Sequence, residues 1–144
     1  MQIRLRPSVP SDIVWLVELR AHVLRADLER LGRYDETRVR ERMRSGFRPE
    51  LTRIIVVDGA DAGSITVRPE GNERWIEHFY LASALQGHGV GREVLARVLA
   101  EPHDGPTRLN VLQGSPARRL YERAGFVLDS EDEIDVFLLL APRA

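Results

Sequence analysis

Residues Gln86-Gly87-His88-Gly89-Val90-Gly91 constrain this chain more than any other stretch. Three glycines fall in five positions, after an extended apolar run and before a helical pattern. Glycine reaches left-handed backbone angles that a Cβ disfavours, and it lets the main chain come close to a ligand. The chain must therefore pass from strand to helix here through a tight turn poor in side chains. The first N–H groups of a helix lack intrahelical partners, and the helix dipole favours negative charge beside them. The turn is a candidate phosphate cradle on these grounds, and it is equally compatible with a purely structural role.

Its surroundings exclude two common nucleotide motifs. No Gly-Lys-Ser/Thr follows, so it is not a Walker A loop. A dinucleotide fingerprint belongs in a first βαβ unit with an acidic residue about 20 positions on. Here a β-meander comes first. Ile3 to Arg6 alternates as a short strand stopped by Pro7, and Pro10-Ser11-Asp12 offers capping chemistry. Ile13, Leu16, Val17, Leu24, Leu28 and Leu31 then recur at helical spacing up to Gly32. Residues 35–45 read as a second, arginine-rich helix. Strands over 52–57, 62–68 and 74–82 are joined by Asp58-Gly59-Ala60-Asp61 and Pro69-Glu70-Gly71-Asn72.

After the glycine turn, Val90, Val94, Leu95, Val98 and Leu99 mark a helix with one apolar face. Residues 107–112 read as a strand. Ser115-Pro116 opens a helix that Gly125 closes, and strands over 126–128 and 134–140 end the chain. The order β-α-α-β-β-β-α-β-α-β-β predicts a mixed α/β (α+β) domain and not a Rossmann fold.

A length of 144 residues predicts one domain over 1–144. A net charge of −1 argues against nucleic acid as the partner. All 21 basic residues are arginine, so no lysine side chain can serve as nucleophile or Schiff base. There is no cysteine, which excludes thiolate catalysis and thiolate metal sites. No apolar run is long enough for a signal peptide or a membrane span, so the expectation is a cytoplasmic protein without membrane association. His22, His78, His88 and His103 show no metal-ligand spacing, and no metal is expected.

Gln86-x-x-Gly89-x-Gly91 resembles the Q/R-x-x-G-x-G/A signature of the GNAT N-acetyltransferase superfamily. Pro116-Ala117-Arg118-Arg119-Leu120-Tyr121-Glu122-Arg123-Ala124-Gly125-Phe126 is similar to the N-P-A-R-R-L-Y-E-R-x-G-F block found after strand five in many members. The two motifs stand in the family's order, and the element order matches over nearly the whole chain. The resemblance implies a mainly antiparallel sheet of about six or seven strands flanked by about four helices.

It also implies acetyl-CoA as co-substrate. Gln86, Gly87, His88, Gly89, Val90, Gly91 and Arg92 would hold its pyrophosphate through backbone N–H groups. Phe79, Tyr80 and Leu81 would pair their backbone with the pantetheine arm and polarise the thioester carbonyl. Tyr121 occupies the place of the tyrosine that protonates the departing thiolate. Arg118 is within reach of CoA phosphates. Ser115 stands where many members carry asparagine, giving a competent helix cap but a shorter contact to the CoA arm.

Acyl transfer to nitrogen needs a neutral amine, donors for the oxyanion and a proton for the leaving thiolate. Residues two apart on a strand share a face. An unbroken strand over 74–82 therefore groups Trp75, Glu77, Phe79 and Leu81, with His78 and Tyr80 opposite, and a bulge would change this parity. Glu77 is the first candidate for the general base and His78, titrating nearer neutral pH, the second. Family members usually wall the acceptor site with their first two helices, which here include Arg20, His22, Arg25, Tyr34 and Phe47. The arginines there suit an anionic acceptor or a solvated helix face.

The resulting expectation is an N-acetyltransferase acting on a small-molecule or peptide amine by direct attack in a ternary complex. The alternative is a non-catalytic acyl-CoA-binding sensor or partner module. Homodimers are common among similar proteins.

Overall fold

A computed structural model describes residues 1–142. The elements follow the expected order. They are β1 (Ile3–Pro7), α1 (Ile13–Arg30), α2 (Glu36–Gly46), β2 (Thr52–Val57), β3 (Ala60–Glu70), β4 (Glu73–Leu81), α3 (Val90–Leu99), β5 (Thr107–Leu112), α4 (Ala117–Arg123), β6 (Val127–Glu131) and β7 (Asp135–Leu140).

Local chemistry sets the element ends. The Asp12 carboxylate accepts hydrogen bonds from the Val9 N–H and the Trp15 indole, both at 2.9 Å, where the chain enters α1. Arg6 of β1 binds the same carboxylate, tying that entry to the sheet. Asp35 caps α2 by accepting from the N–H groups of Thr37 and Arg38. Asp58 and Gly59, at φ 49° and 83°, form the two-residue turn between β2 and β3. Such a turn needs positive φ at both central residues.

The seven strands run in the order β1-β2-β3-β4-β5-β7-β6. Every neighbouring pair is antiparallel except β4 and β5, which are parallel. One face packs α3 and α4 over a core that includes Ile55, Ile65, Val94, Leu95, Leu109 and Leu138. The other face packs α1 and α2 over Leu16, Val17, Met43, Ile54 and Val56. Each fully buried Leu or Ile contributes about 1.5–3 kcal/mol of apolar transfer energy. Leu24 and Leu28, on the expected apolar stripe of α1, instead line a cleft.

That cleft arises at the one parallel junction. Strands β4 and β5 pair at Arg74–Thr107 and Trp75–Arg108 and then separate. The Arg74 side chain reinforces the seam, donating from Nε to the Thr107 hydroxyl at 2.8 Å. Beyond it, residues 76–81 of β4 have no β5 residue opposite them.

The β3–β4 register jumps between the pairs Thr66–Glu77 and Ser64–Tyr80. His78 takes up the extra residue at φ 45°, a left-handed angle that is uncommon for a residue with a Cβ. This bulge corrects the strand parity drawn from sequence. Glu77 lies opposite Thr66, whose hydroxyl meets Thr52 on the α1/α2 face. Phe79 and Leu81 pack with the α3/α4 core. Tyr80 packs with the α1/α2 core. Glu77, His78 and Tyr80 therefore serve one face, and Phe79 and Leu81 the other.

Candidate active site

The separation of β4 from β5 opens a cleft of about 670 Å³ through the sheet. On the α3/α4 side it is lined by Phe79, Leu81, Gln86, Ser115, Ala117 and Tyr121. On the α1/α2 side it is lined by Arg20, Leu24, Leu28, Arg38, His78 and Tyr80, among others. A molecule in the cleft can thus touch both faces of the sheet at once.

The backbone of β4 decides what the cleft offers. Ala82 N–H bonds the Ala62 carbonyl at 2.8 Å. Directly bonded and unbonded pairs alternate along an antiparallel ladder. Ser64–Tyr80 is then a bonded pair, and Gly63–Leu81 is not. The backbone of Tyr80 turns toward β3, while Phe79 and Leu81 turn their N–H and C=O groups into the gap. Gln86 Nε2 donates to the Leu81 carbonyl at 3.0 Å, which couples the glycine turn to the end of β4.

Gly87 and Gly89 sit at φ 80° and 83°, and an added Cβ at either would meet no atom within 4 Å. These glycines are required by backbone conformation and not by crowding. The first bond of α3 runs from Glu93 N–H to the Gly89 carbonyl, so the N–H groups of Val90, Gly91 and Arg92 precede the helical ladder. Gly87, His88, Gly89 and Arg92 are exposed. Val90 buries its side chain in the core and can offer a ligand only its backbone. Ser115 accepts from Ala117 N–H at 3.2 Å and so caps α4. Arg118 pairs loosely with Glu122 at 3.4 Å.

Tyr121 projects from α4 and is 6% exposed. Its ring meets Phe79 and Phe126 edge to face, at centroid distances of 6.4 and 5.8 Å. Among the described residues its hydroxyl has no hydrogen-bond partner. Burial, with the nearby Tyr80 phenol, pushes its pKa well above the ordinary value, so the group stays protonated at any working pH.

The two candidate bases differ in their surroundings. Glu77 is held by Arg68 through both carboxylate oxygens, at 2.9 and 3.2 Å, and keeps 34% side-chain exposure. Among the described residues His78 carries no ion pair. Its Nδ1 lies 3.2 Å from the Tyr80 hydroxyl, which also accepts from Arg20 Nε at 2.9 Å. Burial, followed by the Arg20 charge, lowers the His78 pKa from its ordinary 6.5, with Glu77 opposing. The imidazole packs against Gly46 of α2, where a Cβ would come within 2.7 Å of Nε2. That glycine leaves space for the ring.

Sequence reasoning names Glu77, Phe79, Tyr80, Leu81, Gln86, Ser115 and Tyr121, which line one cleft, and Gly87, His88, Gly89, Val90, Gly91, Arg92 and Arg118, which do not. It missed Gly46 and Arg68, which show themselves only once distant strands and helices are placed. It also missed Arg33, Arg38 and Arg42, which line the cleft. The four-residue spacing of Arg38 and Arg42, offset from the buried Val39 and Met43, marks that exposed face. Of the wall residues expected from the first two helices, Arg20 reaches the cleft. Arg25 instead stacks on Tyr34 and pairs with Glu29, and Phe47 packs in the core. His22 and His88 do not line it. Among the described residues no cluster of His, Asp and Glu is arranged to hold a metal. No helix among them is long and apolar enough to cross a membrane.

Comparisons with known proteins agree with this geometry. The structure resembles a PaiA N-acetyltransferase from Thermoplasma acidophilum in complex with coenzyme A. That match has 19% identity and a TM-score of 0.78, and covers 98% of this chain and 99% of that one. It also resembles the ribosomal-protein-S18-alanine N-acetyltransferase of Escherichia coli, at 15% identity and TM-score 0.75, covering 99% and 96%. An N-acetylglutamate synthase from Neisseria gonorrhoeae, complexed with coenzyme A and N-acetyl-glutamate, matches at 15% identity and TM-score 0.68. There the match covers all of this chain and 36% of the other. No curated protein sequence matches the chain. The sequence model of the acetyltransferase (GNAT) domain matches residues 50–128, a span that runs from the start of β2 through the split strands, the glycine turn and Tyr121. With the split sheet, the glycine turn and the family sequence pattern in one chain, this protein belongs to the GNAT acetyltransferase family.

Proposed function

We propose that the protein moves the acetyl group of acetyl-CoA to a primary amine by direct attack in a ternary complex, with residues 1–144 acting as one domain. One observation carries this reading. The parting of β4 and β5 aims the backbone of Phe79 and Leu81 into a cleft beside an unpartnered, protonated Tyr121 hydroxyl. The fit to acetyl-CoA is supported by three features of the chain. The strand edge offers donors and acceptors along an extended arm. The glycine turn presents the first N–H groups of α3, suited to a pyrophosphate. The described part of the cleft holds no thiol, since the chain has no cysteine, and direct attack needs none.

When bound, acetyl-CoA supplies the thioester that the amine attacks. The Phe79 and Leu81 N–H groups serve as donors to the arm and its carbonyl oxygen. Tyr121 gives its proton to the departing sulfur. Gln86, Gly87, His88, Gly89, Val90, Gly91 and Arg92 form the phosphate end, with Arg118 and Ser115 beside it on α4.

For the base, sequence places Glu77 first. The two-oxygen pair with Arg68 takes up one acceptor site on each Glu77 oxygen. His78 is neutral near pH 7, lines the cleft and has no ion pair among the described residues. These features support His78 as the group that takes the ammonium proton and the Arg68–Glu77 pair as the feature that positions the strand around it.

The test is release of free CoA thiol from acetyl-CoA across a panel of amines. Turnover with at least one amine is expected. Tight acetyl-CoA binding with no amine turned over would favour the sensor reading, for which the use of the Ser115 hydroxyl as a helix cap speaks. Comparing Glu77→Gln with His78→Gln in the same assay assigns the base: the larger loss of kcat marks it.

A further inference from the structure

The α1/α2 side of the cleft presents guanidinium groups that are not ion-paired. The guanidinium groups of Arg33, Arg38 and Arg42 line it, and among the described residues none of the three forms an ion pair. Arg20, also in the cleft, gives Nε to the Tyr80 hydroxyl and Nη1 to the Val39 carbonyl, both uncharged oxygens. Of the six carboxylates lining the same cleft, two are ion-paired and three bind uncharged donors. Asp27 accepts from Arg30, and Asp35 caps α2. Asp132 accepts from the backbone of its own turn, and Asp135 from Asn110. Glu77 is held by Arg68, and among the described residues Glu133 has no hydrogen-bond or ion-pair partner.

Arg38 and Arg42 lie one turn apart on α2 and so project side by side. Planar guanidinium groups bind carboxylates through paired N–H donors, with directional preference that a point charge lacks. The cations sit on the face of the sheet opposite Tyr121 and the glycine turn, which sets them apart from the proposed phosphate end. They share that face with His78, the proposed base.

We propose that the acceptor is a primary amine that itself carries a carboxylate, held by Arg38 and Arg42 with Arg33 beside them. This deepens the acetyl-CoA reading above and rests on it. The arginines would fix the acid group while the amine nitrogen reaches the gap at His78, so that they select the substrate without taking part in proton transfer.

The test uses CoA conjugates in which the cofactor sulfur is linked through an acetyl bridge to the nitrogen of an acceptor. Glycine, β-alanine and γ-aminobutyrate conjugates are compared with those of their uncharged amides, so that only the acid group and its distance from nitrogen vary. Equilibrium binding to the full chain reads the acceptor side without requiring turnover. At least one acid conjugate is expected to bind about tenfold tighter than its amide. Arg38→Gln with Arg42→Gln should remove that preference while leaving the affinity for CoA itself unchanged. Arg44→Gln, which alters an exposed residue paired with Glu41, should leave it intact. Equal binding of acid and amide at every spacing, or a preference that survives the double substitution, would overturn the proposal. Failure of CoA itself to bind would instead overturn the acetyl-CoA reading, and the acceptor assignment with it.

Discussion

The two mouths of the cleft are built on different principles. On the α3/α4 side the surface offered to a ligand is main chain: the turned-out backbone of Phe79 and Leu81 and, outside the lining residues, the first N–H groups of α3. On the α1/α2 side it is side chain: the arginines of α1, α2 and their connection, with His78. The family match over residues 50–128 contains the first mouth and omits α1, α2 and the β6–β7 turn. A backbone site constrains sequence through glycines and strand ends, which recur as motifs. A side-chain site can be rebuilt by exchanging residues on an unchanged helix.

Substitutions on either side should act on different constants, and four tests probe this division. The largest effect is expected for Tyr121→Phe, which removes the hydroxyl but keeps the ring among Phe79 and Phe126. Its kcat should fall about a hundredfold with unchanged acetyl-CoA affinity by titration calorimetry. A fall in affinity alone would make Tyr121 a packing residue and break the comparison at its centre.

Next is the entry to α1, on the side-chain mouth of the cleft. Asp12, bound by Arg6, has its carboxyl pulled down to about 2, with further help from the Val9 N–H and the Trp15 indole. A carboxyl lowered in the folded state stabilises above its unfolded pKa, and that contribution is lost as pH falls from about 4 toward 2. The contribution is about 2 kcal/mol. Asp12→Asn should lower the melting temperature at pH 7 and flatten its fall between pH 4 and 2, as read by circular dichroism.

A smaller change is expected for Gly89→Val. A β-branched residue at φ 83° is strained by about 1–3 kcal/mol. Acetyl-CoA affinity should drop about tenfold by the same titration, while the acceptor KM at saturating acetyl-CoA holds. The mildest is Gly46→Ala, whose methyl would crowd His78 Nε2. A kcat loss of about threefold is expected, within the range for disturbing a single positioned proton acceptor. The acid limb of the wild-type kcat profile should lie below pH 6.5, because burial favours neutral His78. A limb unaffected by Gly46→Ala would move the base away from His78.

The same division explains what the sequence reveals. Turns and helix ends announce themselves through glycine, proline and capping residues, so the element order was readable throughout. The glycine turn and the block around Tyr121 were readable because their chemistry depends on local spacing. The bulge at His78 was not, because an extra residue leaves no mark within an extended apolar stretch. Its effect on Glu77 follows from the register with β3, and Arg68 becomes the Glu77 partner through that same pairing. The space that Gly46 gives His78 depends on how α2 lies on the sheet. Arg38 and Arg42 were present in the pattern as a polar helix face, but solvent and substrate impose the same pattern on such a face.

The seam between β4 and β5 has a mechanical consequence. Two residue pairs and the Arg74 clasp join sheet halves that otherwise diverge. An extended ligand lodged between the divergent strands would act as an inserted rung, bracing both arms of a wishbone whose stem is Trp75 and Arg108. Occupancy would then register far from the chemistry, as slower amide exchange in β5 and β7 along with β4.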